Sequence, residues 1–121
     1  MIGDVPRSRL SGLYREHDVF VFPSLIESYG HPLVEAMACG LPVVASRIPA
    51  SVEVCGDAAV YFDPASAWDL AGRIEEVIAS RELRLRLRTA GLSRVSRMNF
   101  GSHVERLLEI FERVARRPRR A

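Results

Sequence analysis

Two short apolar runs on either side of a helix-forming segment constrain the fold more than any other feature of this sequence. Residues 19–22 and 43–45 are rich in β-branched and aromatic side chains, a composition typical of strands that helices bury on both faces. Between these runs, Pro32 stands where a helix can begin and Gly40 where a helix can end in the left-handed conformation. A helix between two closely spaced strands predicts a right-handed parallel crossover. The chain is therefore expected to have an α/β fold.

The flanking segments continue the alternation of helix and strand. Residues 6–16 have apolar side chains at helical spacing, and residues 59–62 form a third predicted strand. From Ala67 onward the pattern is helical, with a break expected at Gly91 and a last helix from about Gly101. The apolar faces of the three predicted helices consist of Leu70, Ile74, Val77 and Ile78, of Leu83, Leu87 and Ala90, and of Val104, Leu107, Leu108 and Phe111.

These elements predict a partial Rossmann-like domain with three layers, a short parallel sheet and a helical C-terminal segment. A free-standing doubly wound domain usually has five strands or more and a first strand that leads into a phosphate-binding turn, and no such first unit is recognisable here. We predict a single partial domain over residues 1–121, with an α/β part that bears the site (1–66) and a helical part (67–121).

Composition indicates an ordinary globular protein. Of the 121 residues, 48% are hydrophobic and 26% are charged, and the 17 basic residues are all arginines. Neither a signal peptide nor an apolar run approaching the ~20 residues of a membrane span is recognisable, so we expect a cytoplasmic protein. Cys39 and Cys55 are expected to be small buried hydrophobes, with a disulfide or a metal site as the alternative.

Five arginines crowd the C-terminal end, at positions 113, 116, 117, 119 and 120. We expect this tail to be a solvated helix end, because cations suit a helix C-terminus. The alternative is contact with anionic lipid or nucleic acid. We retain weak contact with the inner membrane surface and expect no nucleic-acid partner.

The polar loop between the first strand and the helix is the candidate site. Glu27 and Glu35 have seven residues between them, and Gly30 lets a backbone approach a ligand closely. The first N–H groups of the helix lack internal partners and attract a phosphate or a sugar hydroxyl. A carboxylate such as Glu35 can accept hydrogen bonds from a vicinal diol such as a ribose.

Each of these residues also has an ordinary structural interpretation. Glu35 can be an acidic residue that suits the dipole of a first helical turn, and Glu27 a solvated loop carboxylate. His31 can donate to a phosphate or be a helix N-cap residue. Ser24 and Ser46, which follow apolar strands, can contact a ligand or stabilise turns.

Further residues around these two glutamates resemble a known family. The matching segments are Pro23-Ser24, the stretch from Glu27 to Ser46 with Gly40-Leu-Pro42 inside it, Glu53-Val-Cys-Gly56-Asp57, and Phe62-Asp63-Pro64. Together they resemble the donor-binding region of retaining GT-B glycosyltransferases of group 1 (family 4), over nearly the whole chain.

The resemblance implies sugar transfer from a nucleotide-diphosphate sugar with retention, with no cofactor and no required metal. Glu35 would bind the ribose hydroxyls, and Glu27, the catalytic candidate, would face the transferred sugar. The other donor-binding candidates are Ser24, Tyr29, Gly30, His31 and Pro32, with the backbone amides near Tyr29, Gly30 and His31 holding sugar hydroxyls and diphosphate.

The sequence also departs from the family. Tyr29 stands where the family often has Phe, and the basic Arg/Lys pair that neutralises the diphosphate cannot be assigned to any residue. The N-terminal acceptor-binding domain is likewise not recognisable, so a separate N-terminal half is an expected partner. The alternative is a non-catalytic module that binds a nucleotide sugar or a partner. A receiver-like signalling domain would need a lysine, which this sequence lacks.

Overall fold

The computed structural model describes residues 5–98 together with residues 108, 109 and 113. Its elements confirm the predicted α/β class. Along the chain they are α1 (Arg7–Glu16), β1 (Phe20–Phe22), α2 (His31–Ala38), β2 (Val43–Ser46), α3 (Pro49–Cys55), a 3₁₀ turn (Gly56–Ala58), β3 (Ala59–Phe62), α4 (Ala67–Ala79) and α5 (Arg81–Ser96).

The three described strands form a parallel sheet in the order β1-β2-β3. Phe20 is in register with Val43, and Val43 with Ala59. All four residues of the central strand β2 are buried, as expected for a strand with neighbours on both sides. The residues of β1 are only partly buried, because β1 pairs on one side alone among the described strands. Phe20 and Phe22 pack against one core cluster and Val19 and Val21 against the other, so the prediction that residues 19–22 are buried on both faces holds only in part.

Helices cover both faces of the sheet and make the three predicted layers. On one face, Val43 and Ala45 of β2 lie in a core cluster with Leu33 and Met37 of α2. The alternate residue of β2 faces the opposite way, as the pleat of a strand requires. The second cluster consists of Val44, Phe62, Val77 and Leu87. Of the apolar residues predicted for α4, Val77 is buried but Ile78 is 59% exposed, so the predicted apolar face is one residue too wide.

Helix α5 packs closely against α2 at Gly91. A Cβ added at Gly91 would lie 3.2 Å from Cγ and 3.3 Å from Cβ of Met37. The predicted break at Gly91 is wrong, since α5 continues to Ser96. The missing side chain serves the close approach of two helices and does not end one of them.

Two arginines of α5 bind the carbonyl groups at the ends of other helices. Arg94 donates to the backbone carbonyls of Glu53 and Val54 at the end of α3. Arg84 donates to the carbonyl of Val77 in the last turn of α4 at 2.9 Å. These carbonyls have no partner within their own helix, so α5 stabilises both helix ends.

Some predictions fall on the remainder of the chain. Of the residues predicted for the last helix, Leu108 is described and is helical and exposed. Val104, Leu107 and Phe111 lie outside the described residues, as do four of the five C-terminal arginines. In the described part of the chain, no helix combines the length and hydropathy needed to cross a bilayer.

The packing of Gly91 on Met37 predicts a large position-dependent effect of one substitution. Gly91→Leu should lower the free energy of unfolding by about 1–3 kcal/mol, because the added side chain overfills the contact between α2 and α5. Gly72→Leu is the matched control: Gly72 lies in α4, and a Cβ there meets no atom of the described residues within 4 Å. It should leave stability unchanged or raise it by up to about 1 kcal/mol. Urea unfolding of both variants measures the difference, and equal stabilities would contradict this packing.

Candidate functional site

The candidate site lies where the chain leaves the carboxyl end of β1. Ser46, the last residue of β2, is fully buried, and its hydroxyl donates to the carbonyl of Phe22, the last residue of β1, at 3.3 Å. This bond joins the ends of two neighbouring strands, so Ser46 has a structural contact. The loop of residues 23–30 starts from this point and enters α2. The carboxyl edge of a parallel sheet is the usual place for a ligand in such folds.

Gly30 sets the direction in which the loop enters α2. Its φ of 88° lies in the left-handed region, and it is the N-cap residue of the helix. A Cβ at Gly30 would lie 2.9 Å from Cδ1 of Leu33, so a side chain is excluded by both backbone and space. His31 is therefore the first helical residue and not the N-cap, which corrects one of the two interpretations above.

The first turn of α2 is left open by the side chains described around it. No described side chain caps its N–H groups, and Pro32 has no N–H to satisfy. The amide of Leu33 donates to the carbonyl of Gly30 at 2.9 Å. The His31 ring lies 4.9 Å from the Tyr29 ring, centroid to centroid. The helix terminus thus lacks a side-chain cap among the described residues and lies beside two aromatic rings.

Glu27 folds back over its own loop. Its Oε1 accepts a hydrogen bond from the amide of Ser28 at 3.0 Å, and a Cβ added at Gly30 would lie 3.6 Å from its Cγ. Ser24 donates from its hydroxyl to the carbonyl of Ile26 at 2.9 Å, a contact that shapes the loop. Glu27 is thus held close to the start of α2.

Glu35 lies on α2 itself and has a partner that sequence reasoning did not identify. The first turn of α2 contains no acidic residue, so Glu35 belongs to the second turn. Its Oε2 accepts a hydrogen bond from the hydroxyl of Tyr14 on α1 at 3.0 Å. Burial, followed by the Glu35 contact, raises the pKa of Tyr14 to about 12.

The structure thus places the predicted site residues in two groups. Residues 24–32 form the loop and the first turn of α2, and Glu35 follows one turn later against Tyr14. Sequence reasoning also missed Leu25 and Ile26, whose side chains are 67% and 90% exposed in the loop. The signal for this exposed apolar pair was available, since two large apolar residues stand between polar neighbours. The sequence contained no signal for the contact between Tyr14 and Glu35.

A separate cavity of about 540 Å³ lies at the opposite edge of the sheet. Asp18 and Pro42, which precede β1 and β2, are part of its wall, and so are four arginines: Arg15, Arg81, Arg84 and Arg88. Tyr14 borders this cavity, but none of the predicted site residues lines it. Among the described residues, no group of three His, Cys, Asp or Glu side chains could hold a metal ion. Cys55 is buried, Cys39 is partly buried, and both are free thiols.

Comparisons with known proteins agree on one family. The family of glycosyl transferases group 1 matches residues 1–94 of this chain. The D-inositol 3-phosphate glycosyltransferase of Thermobifida fusca (strain YX) is 36% identical over 109 residues, which are 88% of this chain and 25% of that protein. The O-antigen chain mannosyltransferase B of Escherichia coli is 46% identical over 63 residues, or 52% of this chain and 16% of that protein. The chain thus spans a quarter or less of the length of these two relatives.

Solved structures give the same result. The sucrose-phosphate synthase of Thermosynechococcus elongatus superposes with a TM-score of 0.81 at 26% identity, over 93% of this chain and 29% of that one. A glycosyltransferase from Rickettsia africae ESF-5 superposes with a TM-score of 0.75 at 21% identity, over 88% of this chain and 30% of that one, which shows the shared fold alone. The resemblance predicted from the sequence is confirmed at the level of the family: the chain belongs to the group 1 glycosyl transferases.

Proposed function

We propose that this chain is the donor-binding part of a retaining GT-B glycosyltransferase that uses a nucleotide-diphosphate sugar. The observation that carries the proposal is the bare N-terminus of α2 between two carboxylates. Its first-turn amides have no side-chain cap among the described residues, Glu27 lies on the loop before it and Glu35 on its second turn. Carboxylates that accept hydrogen bonds from hydroxyls, beside a helix N-terminus whose dipole attracts anions, match a ligand that carries both hydroxyls and phosphates.

Glu35 is proposed to bind the ribose of the nucleotide. A carboxylate accepts hydrogen bonds from two vicinal hydroxyls, and bonds to a charged acceptor are the stronger kind. Because Glu35 lies on a helix that is packed between β2 and α5, its position is fixed by the core. A fixed position suits the nucleotide, which is the unchanging part of the donor during transfer.

Glu27 is proposed as the catalytic residue that faces the transferred sugar. Its bond to the Ser28 amide orients one carboxylate oxygen, and the second oxygen is available to a sugar hydroxyl. Transfer breaks the bond between the sugar and the diphosphate, so negative charge grows on the leaving group. The donors at the start of α2, with Tyr29 and His31 beside them, would stabilise that charge.

The rest of the proposed enzyme would lie outside this chain. The two curated relatives are at least four times as long as the segment that matches. We propose that the additional length supplies an acceptor-binding domain and the basic pair for the diphosphate, either upstream or as a separate partner. In this proposal residues 1–66 bear the donor site and residues 67–121 support it. A cytoplasmic location, with the arginine-rich end near the inner membrane surface, stays a prediction.

The ribose role predicts weaker nucleotide binding by one variant. Glu35→Ala should weaken binding of UDP or GDP by about 10- to 100-fold, since a charged hydrogen bond contributes about 1.5–3 kcal/mol and 1.4 kcal/mol is a factor of ten. Titration calorimetry of the 121-residue chain measures the affinity. Glu75→Ala, which removes an exposed carboxylate of α4, is the matched control and should bind like the unmodified chain. An unchanged affinity of Glu35→Ala would refute the ribose role.

The division of the enzyme predicts binding without transfer. The isolated 121-residue chain should bind the nucleotide but release no more sugar from UDP- or GDP-sugars than a buffer blank, because the diphosphate lacks its basic pair. Chromatographic detection of free nucleotide over hours measures this release. Robust turnover by the purified chain would overturn this part of the proposal. The chain can also be joined to an acceptor-binding half. If the joined protein binds the nucleotide sugar but transfers no sugar, the non-catalytic module is favoured.

A further inference from the structure

We propose that Tyr14 is a positioning residue that orients the Glu35 carboxylate for ribose recognition. This inference rests on the proposed function, because it gives Glu35 a ligand. It goes further by assigning a role to a residue of α1, outside the loop and helix that form the candidate site. The observation behind it is the 3.0 Å hydrogen bond between the Tyr14 hydroxyl and Oε2 of Glu35, two residues 21 positions apart.

The Tyr14 ring is itself held in place. It packs edge-on against the ring of Phe20 on β1, with 5.6 Å between ring centroids. Phe20 in turn stacks with Phe22 at 6.3 Å. A tyrosine whose ring is fixed on a strand can place its hydroxyl with little freedom left. The hydroxyl is therefore a rigid donor for a carboxylate that lies on a neighbouring helix.

This hydrogen bond leaves part of the carboxylate free. Oε2 accepts from the phenol, while Oε1 has no hydrogen-bond partner among the described residues. A glutamate loses rotamer freedom when it is ordered by a ligand, and ordering it beforehand reduces that loss on binding. Tyr14 would thus present Oε1 to a diol in a fixed direction.

A phenol suits this task better than a cation would. It fixes the carboxylate without cancelling its negative charge, so Glu35 stays a strong acceptor. Burial and the Glu35 contact raise the pKa of Tyr14 to about 12. The hydroxyl consequently remains protonated, and remains a donor, throughout the physiological pH range.

The consequence is selectivity for ribose, and not merely affinity for a nucleotide. Contacts to base and diphosphate are the same for UDP and for 2′-deoxy-UDP, but the bond from the 2′-hydroxyl is made by UDP alone. Positioning of Glu35 therefore acts on the ratio of the two dissociation constants. A purely structural role of Tyr14 would lower the folded fraction, which affects both nucleotides equally and cancels in the ratio.

The experiment measures this ratio by titration calorimetry of the 121-residue chain with UDP and 2′-deoxy-UDP, and with GDP and 2′-deoxy-GDP. For one of the two bases, the unmodified chain should bind the ribonucleotide more tightly than its 2′-deoxy form. Glu35→Gln should remove most of that preference. Tyr14→Phe, which keeps the ring on Phe20, should reduce the preference by roughly 3- to 10-fold, the effect of one hydrogen bond.

Tyr61→Phe is the matched control. The Tyr61 hydroxyl donates to the carbonyl of Gly56 at 2.7 Å, so this variant also removes a phenol hydrogen bond from the fold, away from Glu35. It should leave the ratio unchanged even if it lowers stability. A parallel loss of preference in Tyr61→Phe would overturn the positioning role, because the effect would then be a general one.

The remaining outcomes separate the two proposals. If Glu35→Gln removes the ribose preference and Tyr14→Phe keeps it, the positioning role is wrong and the proposed function stands. If the unmodified chain binds none of the four nucleotides, or shows no preference for ribose, the ribose role of Glu35 fails and the inference about Tyr14 fails with it.

Discussion

The candidate site depends first on how α2 is held. This helix has eight residues, and a helix of that length is unstable on its own in water. Its position comes from burial of Leu33 and Met37 against β2 and from the close approach of α5 at Gly91. Because a glycine allows that approach, α5 reaches α2 along one side while the loop side stays open. The N-terminus of α2, which carries the candidate site, is thus positioned by the helix face that packs against β2 and α5.

The two glutamates differ in how firmly the fold holds them. Glu27 lies in a loop and bonds to the amide of its neighbour Ser28, so its position follows the loop. Glu35 lies on the packed helix and bonds to a residue of another element. Sequence spacing makes them look like an equivalent pair, but the structure bonds one to its own loop and the other to a second helix. In the proposed function, the glutamate bonded to the second helix meets the ribose, and the loop glutamate meets the transferred sugar.

Local signals were enough to predict the alternation of helices and strands and the position of the loop that carries the candidate site. The apolar runs predict strands, and Pro32 and Gly40 predict where a helix begins and ends. Each of these signals is local, so it can be read from neighbouring residues in the sequence. Gly91, Ile78 and Tyr14 depend on long-range contacts instead. Packing between elements decides whether Gly91 ends a helix or allows a neighbouring helix to approach. It also decides whether Tyr14 contacts Glu35, 21 positions away. The periodicity of apolar residues within one element predicts neither contact.

The partial burial of β1 is a second feature that local sequence signals did not predict. Its Phe-Val-Phe sequence has the composition of an interior strand, yet in the described sheet it occupies an edge and stays partly buried. Composition reports what a strand tolerates on its two faces, whereas burial also depends on which neighbours are present. Phe20 and Phe22 use their apolar surface here to hold the Tyr14 ring. An edge strand with aromatic side chains therefore connects the sheet to the helix-borne carboxylate through a single tyrosine.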